Sequence, residues 1–270
     1  LLVFLMKTFQ IIIIFFSAVL LSSCSDRISK NSFENLNNYI LENGNLSLED
    51  FSGSYMLNAS ISSSDINETN FESGNFLGSS IDNSTLKDNN FSKTSFIYST
   101  LYRSSFTTNN FQNANLSNAG LTLITMEGNN FLNSHFNDST IKQSNFNKDV
   151  FVSANFTQAN LDRVQFKDVN FKFSSFNNSI IFNSVFEGSN FLNANFRSSQ
   201  INHTEFSNSN LVEANFNNSN LSNSVFKDNI LTNVDFSGAD LTGVVFSNNI
   251  GYLTANFCNT IMPDGSIKVC

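Results

Sequence analysis

The sequence predicts an all-β solenoid, a chain wound as a square coil with twenty residues per turn, and three observations carry that expectation. From Leu46 to Phe246 an apolar residue falls on every fifth position without insertion or deletion: Leu46, Phe51, Met56, Ile61, Ile66, Phe71, Phe76, Ile81, and on to Phe236, Leu241 and Phe246. A period of five suits neither an amphipathic helix nor an alternating strand, so the stretch is a repeat array. Sorting the same positions by every twentieth residue gives columns of one character: Ile61, Ile81, Leu101 and their successors to Leu241 are aliphatic, while Phe51 to Phe191 is unbroken Phe before Leu211 and Leu231. Phe also fills eight of ten places in the column from Met56 and seven of ten in the column from Ile66. Four five-residue units therefore make one turn, and residue n lies beside residue n+20.

The third observation is a small residue two places before each apolar centre, such as Ala59, Ala114, Ala154, Ala194, Ala214, Ala239, Ser64, Ser144, Ser179 and Ser224. Two inward positions sharing a narrow interior cannot both be large in a core packed to crystal density. Ile124, Val164, Val169, Val234 and Val244 are the bulkier exceptions. The other three places are mostly Asn, Ser, Asp and Thr, suited to water and to corners of positive φ. The column Asn70, Asn90, Asn110, Asn130, Asn170, Asn190 and Asn210 predicts a ladder along one edge.

The units Ala114-Asn115-Leu116-Ser117-Asn118, Ala159-Asn160-Leu161-Asp162-Arg163 and Ala239-Asp240-Leu241-Thr242-Gly243 resemble the A(D/N)Lxx motif of the pentapeptide repeat family. The resemblance covers about three quarters of the chain in some forty consecutive units. It implies a right-handed quadrilateral β-helix, here a Phe-rich variant with Ser often in place of Ala.

Domain by domain, residues 1–23 read as a lipoprotein signal peptide, 24–45 as linker and N-terminal cap, 46–250 as the repeat array and 251–270 as a C-terminal cap. Translation starts at Leu1, through an unusual initiation codon, or at Met6. Lys7 gives a short positive region and Ile11 through Leu21 an apolar one. The 13 residues from Phe9 to Leu21 fall short of the roughly 20 that a spanning helix needs. Leu21-Ser22-Ser23-Cys24 resembles the bacterial lipobox, which implies that Cys24 becomes the first residue and carries lipid. The alternative is a soluble exported protein in which Cys24 is incidental. Ser25 after the Cys favours the outer membrane in a cell with two membranes.

Between Ser25 and Asn45, Phe33, Leu36, Tyr39 and Ile40 fall at helical spacing, with Ser32 as N-cap and Gly44 at the stop, which predicts a short capping helix over the first coil. The competing reading carries the five-residue register back through Leu41 and Leu36. At the other end the register fails at Gly251. The segment Phe257-Cys258-Asn259-Thr260, with Pro263-Asp264-Gly265 and Cys270, resembles the terminal element that follows pentapeptide arrays. In an oxidising compartment Cys258 and Cys270 either pair or stay as free thiols.

Function is less legible. His135 and His203 occupy outward places on different columns, and no phosphate loop, paired-Cys metal spacing or nucleophile elbow occurs. A non-catalytic protein is expected, without cofactor, metal, nucleic acid or small-molecule substrate. Val225, Ile230, Val245 and Ile250 stand just before a centre, where polar residues are usual. They form either a contact patch, a homodimer contact being one version, or a surface covered by the C-terminal tail. Some members of the family resemble B-DNA and bind DNA gyrase. Here residues 46–250 hold eighteen Asp and Glu against ten Lys and Arg, a net charge of −8. DNA as long as ten coils of about 4.8 Å carries about 28 negative charges. The reading preferred is a lipid-anchored envelope protein that offers a structural or protein-interaction surface to an unknown partner; the alternative is a DNA mimic.

Overall fold

The computed structural model describes residues 35–270, and the winding predicted from the period runs through them. Every fifth residue from Asn38 to Asn248 has a positive φ, between 47° and 71°, two places after each apolar centre. That left-handed residue turns the chain through a corner, which is why the polar places are rich in Asn, Asp and Gly. Each coil then bonds to the next: Phe91 N–H donates to the Asn110 carbonyl at 2.7 Å, and Phe111 N–H to the Asn130 carbonyl at 2.7 Å.

Two of the four faces are parallel sheets. One has nine three-residue strands from Ile40–Glu42 to Gln200–Asn202, and the other eleven from Asn45–Ser47 to Val245–Ser247. Pairing is in register at n+20, as in Leu101 with Leu121 and Phe146 with Phe166. The other two faces hold only single bridges, such as Asn90 with Asn110 and Asn75 with Ser95. Asn is the commonest residue at the bridging place on those two faces, although Ser95, His135 and Val150 hold single bridges there too. On those faces Asn90 Oδ1 accepts the Ser92 N–H, and Asn115 Oδ1 the Ser117 N–H, which tightens the next two residues into a turn. When Asn220 and Asp240 enter the first sheet's column they accept from Ser222 and Thr242 in the same way, and the nine-stranded sheet ends there. Asn160, in that column, remains within the strand Asn160–Asp162.

The core is one continuous stack. Phe91 and Phe111 lie with ring centroids 4.9 Å apart and planes 13° apart, and Phe131 and Phe151 4.6 Å and 2°. Adjacent columns meet edge to face, as Phe131 meets Phe136 at 62°, the arrangement that the ring quadrupole favours. Where the Phe51 column turns to Leu211 and Leu231, the column of Phe206 and Phe226 fills the space and crosses Phe216 at 86°. The small residues two before each centre are buried, including Ala59, Ala114, Ser144 and Val164.

Two expectations about the ends need correction. The capping helix does not form over residues 35–45: Ile40–Glu42 and Asn45–Ser47 are strands, Leu41 is buried and Leu36 packs on the core. The array therefore starts at least ten residues before Leu46. Ser32, Phe33, the segment 1–23 and Cys24 lie outside the described residues. At the other end the register slips by one residue and resumes. Leu231 N–H still donates to the Ile250 carbonyl, whereas Phe236 donates to Asn256 and Leu241 to Ile261. The extra residue is taken up around Gly251 (φ 76°) and the 3-10 turn Tyr252–Thr254. A Cβ on Gly251 would lie 2.7 Å from the Thr232 backbone nitrogen, so only glycine fits. Phe257 then stacks on Phe236 at 5.4 Å and 9°, and Thr260–Ile261 pairs antiparallel with Ile267–Lys268 to close the rod.

Candidate functional site

The outward faces are the broad surfaces this winding offers. The edge ladder forms: Asn90 Nδ2 donates to Asn70 Oδ1 at 3.0 Å, Asn110 to Asn90 and Asn130 to Asn110, and Val150 interrupts it before Asn210 bonds Asn190. Val225 pairs with Val245 and Ile230 bridges to Ile250, on adjacent faces of the last coils. Ile230, Val245 and Ile250 are 39%, 54% and 68% exposed. The tail runs beneath Phe236 and Leu241 instead of over these four. Cys258 and Cys270 form a disulfide, with Cα atoms 4.7 Å apart.

His203 meets the edge of Phe182 at 5.5 Å, while His135 stands in the bridge column between Asn115 and Asn155. Among the described residues no three His, Cys, Asp or Glu side chains are placed to hold a metal ion. A shallow hollow of about 190 Å³ lies at one corner, lined by Asn83, Arg103, Leu123 and Thr125. Its Arg103 guanidinium covers the Tyr102 ring at 4.7 Å. Charges of both signs are interleaved in surface pairs: Lys93 with Glu72 at 2.8 Å, Arg163 with Asp162 at 2.8 Å, Lys167 with Glu187 at 3.9 Å.

Two features escaped the sequence reading. Asn89, Asn109, Asn129 and Asp149 point inward and form a second, buried ladder beside the outer one. Asn89 donates both its N–H and its Nδ2 to Asn109 Oδ1, at 2.9 and 3.0 Å, and Asn109 does the same to Asn129. The doublets Asn89-Asn90, Asn109-Asn110 and Asn129-Asn130, twenty residues apart, are the signal that marks two ladders side by side. Asp149 ends the buried one, and burial pushes its carboxyl up to about 7 against the two bonds from Asn129. The second feature is that one outer face holds no Asp, Glu, Lys or Arg from Asn35 to Asn118 and carries a stripe of Leu57, Leu77 and Ile97. Its signal is an aliphatic residue at one place in three successive coils.

The geometry defines the class: a four-faced β-solenoid built of five-residue units. Residues 179–251 match the family model described as a pentapeptide repeat region, and residues 150–188 the model of pentapeptide repeats in eight copies. The stretch 150–251 is thus a run of pentapeptide repeats, and the same unit continues in the structure back to Asn35.

Among solved structures, the chain is similar to HetL, a pentapeptide repeat protein involved in heterocyst differentiation regulation from the cyanobacterium Nostoc. They are 17% identical over 88% of this chain and 93% of that one, with a TM-score of 0.29. It is similar also to full-length QnrB1, a plasmid-mediated fluoroquinolone resistance protein, at 16% identity over 77% and 94%, TM-score 0.43. The A-module of the mannuronan C-5 epimerase AlgE6 from Azotobacter vinelandii matches at 11% identity over 81% and 72%, TM-score 0.29. The search of curated proteins found no match.

Proposed function

We propose that this chain is a non-catalytic pentapeptide repeat protein of the bacterial cell envelope, lipid-anchored through Cys24, whose rigid faces serve as a structural or protein-interaction surface. One observation carries the reading: in-register coils stack from Asn35 to Phe246 in a sequence that also holds Leu21-Ser22-Ser23-Cys24. A rod whose every coil bonds to both neighbours holds its outward side chains at fixed spacing, so recognition is geometric. Non-catalytic action is supported by the scatter of its titratable groups over four faces. Val225, Ile230, Val245 and Ile250 provide a contact for a second copy at the C-terminal coils, and Ser25 favours the outer membrane where the cell has two.

Growth with a radiolabelled fatty acid tests the anchor. Label on the parent chain and none on Cys24→Ala is the expected result; an unlabelled parent chain refutes the anchor. Detergent extraction of fractionated membranes then assigns the compartment. The DNA-mimic alternative is disfavoured by the interleaved ion pairs of Lys93, Arg163 and Lys167, which break any continuous acidic face.

A further inference from the structure

The face built on Tyr55, Asn75 and Ser95 differs from the other three in charge. From Asn35 to Asn118 its outward places hold no Asp, Glu, Lys or Arg, whereas the other faces include Arg103, Asp65, Lys87 and Glu72 over the same coils. In place of charge it carries the aliphatic stripe. Asn58 N–H donates to the Leu77 carbonyl and Gly78 N–H to the Ile97 carbonyl, so Leu57, Leu77 and Ile97 lie one above another. Tyr55 and Tyr98 flank the stripe, 49% and 64% exposed, and Leu77 is 38% exposed.

The chain enters the rod on this same face. Asn35 bridges to Tyr55, and Leu36 N–H donates to the Tyr55 carbonyl at 2.7 Å. Cys24 stands eleven residues before Asn35, a reach of at most about 40 Å. A lipid on Cys24 therefore keeps the first coils close to a bilayer, and the composition of the faces decides which one meets it. Tyrosine rings suit the boundary between headgroups and acyl chains, and aliphatic side chains gain by entering it. A face without charges enters without stripping water from an ion.

We infer that the first coils lie with the Tyr55–Tyr98 face against the lipid bilayer, so that the rod is held along the membrane plane. The inference rests on the anchored reading for its placement but stands on the composition of the face. It gives the remaining faces a role: the sheet face opposite, with Asp65 and Lys87, is turned outward to a partner.

The test uses the full chain in phosphatidylcholine vesicles with a nitroxide on Leu77→Cys, compared with one on Asn147→Cys of the opposite sheet face. Cys258 and Cys270 are paired, so the new thiol takes the label. Oxygen should relax the label at 77 several-fold more effectively, relative to a water-soluble nickel complex, than the label at 147. Adding Leu57→Asn and Ile97→Asn should abolish the difference. Asn occupies that place in Asn137, Asn177 and Asn217, so the fold is kept. Equal, water-like accessibility at both sites in vesicle-bound chain overturns the inference and leaves the anchor standing. If no lipid is found on Cys24, vesicles mixed with the labelled Cys24→Ala chain still decide: a bilayer-like value at 77 supports the face, an aqueous one overturns it. A label at 77 shielded from both reagents without vesicles means that a second copy covers the face, which also overturns it.

Discussion

Asn129 donates both its backbone N–H, at 2.7 Å, and its side-chain Nδ2, at 2.9 Å, to a single oxygen, Oδ1 of Asp149. The pair repeats what Asn109 and Asn89 do one and two coils earlier, with a carboxylate where the ladder otherwise has an amide. In the amide members Nδ2 also donates to the carbonyl 23 residues back, as Asn129 does to Phe106. Asp149 has no such donor when ionised, and its Oδ2 is buried without a hydrogen-bond partner. Burying an unpaired charge is costly, and protonation relieves it.

The pH dependence follows from the sign of that shift. The folded state holds Asp149 protonated up to about pH 7, against 3.8 for the free side chain. Its contribution to stability is therefore complete below pH 3.8, is lost as pH rises towards 7, and is constant above. Between pH 5 and 8 the loss amounts to roughly 2–3 kcal/mol. Asp149→Asn restores the amide and removes the titration. Urea unfolding at pH 8 should place its midpoint above that of the parent, with the gap closing towards pH 4. Equal midpoints at pH 8 would show that Asp149 is solvated.

Core substitutions should follow the column they sit in. Phe151 is fully buried, stacked on Phe131 at 4.6 Å and Phe171 at 5.3 Å, and met edge-on by Phe136 and Phe146. Phe151→Ala leaves a cavity and should cost about 3–5 kcal/mol. Phe151→Leu should cost less, roughly 1–2 kcal/mol, because Leu211 and Leu231 already fill this column and Leu keeps most of the volume. Thermal denaturation followed by circular dichroism orders the three chains; equal destabilisation by Ala and Leu would mean that ring stacking, not volume, decides the site.

How far the fold could be read depended on how often a feature recurs. Phe91 over Phe111 was legible because the same relation holds along the whole column. The N-terminal end was misread because Leu36 satisfies both a helical and a five-residue spacing. What decides is backbone pairing: Leu36 and Asn38 donate to Tyr55 and Leu57 of an existing coil, whereas a lone helix of a dozen residues is marginal. That Phe257 continues the column of Phe236 was hidden by one inserted residue near Gly251, which displaces a period without destroying it. The buried ladder was overlooked because Asn is usually an outward residue. Asp149 could not be distinguished from an outward Asp by type alone; only its place in the column sets its chemistry.

Corner residues offer a measurement of backbone strain without packing. Leu48 has φ 62° and is 73% exposed, so its side chain contributes little burial. The left-handed conformation costs most residues roughly 1–2 kcal/mol, less for Asn and more for a β-branched side chain. Leu48→Asn should raise stability by about 0.5 kcal/mol and Leu48→Val lower it by about 1 kcal/mol. Denaturant titration reads both, and the same sign for the two would show that burial, not φ, governs the corner.

The last coil depends on a closure that lies outside the repeat. Phe236, Gly238 and Leu241 donate their N–H groups to the carbonyls of Asn256, Cys258 and Ile261, so the final full coil is covered only while the tail stays in place. The tail is held by the disulfide, by Met262 N–H on the Ser266 carbonyl at 2.7 Å, and by the Lys268 ammonium over the Phe257 ring at 4.9 Å. Closing a loop of that length reduces the entropy of the open state by about 3 kcal/mol at room temperature. Because each coil contacts only its neighbours, the loss in Cys270→Ser should stay local. Amide exchange at Phe236, Gly238 and Leu241 should quicken by about a hundredfold. The N–H of Phe136, five coils away, should exchange as before. Acceleration at Phe136 as well would mean that the solenoid opens as one cooperative unit, and that the tail guards the whole fold instead of its edge.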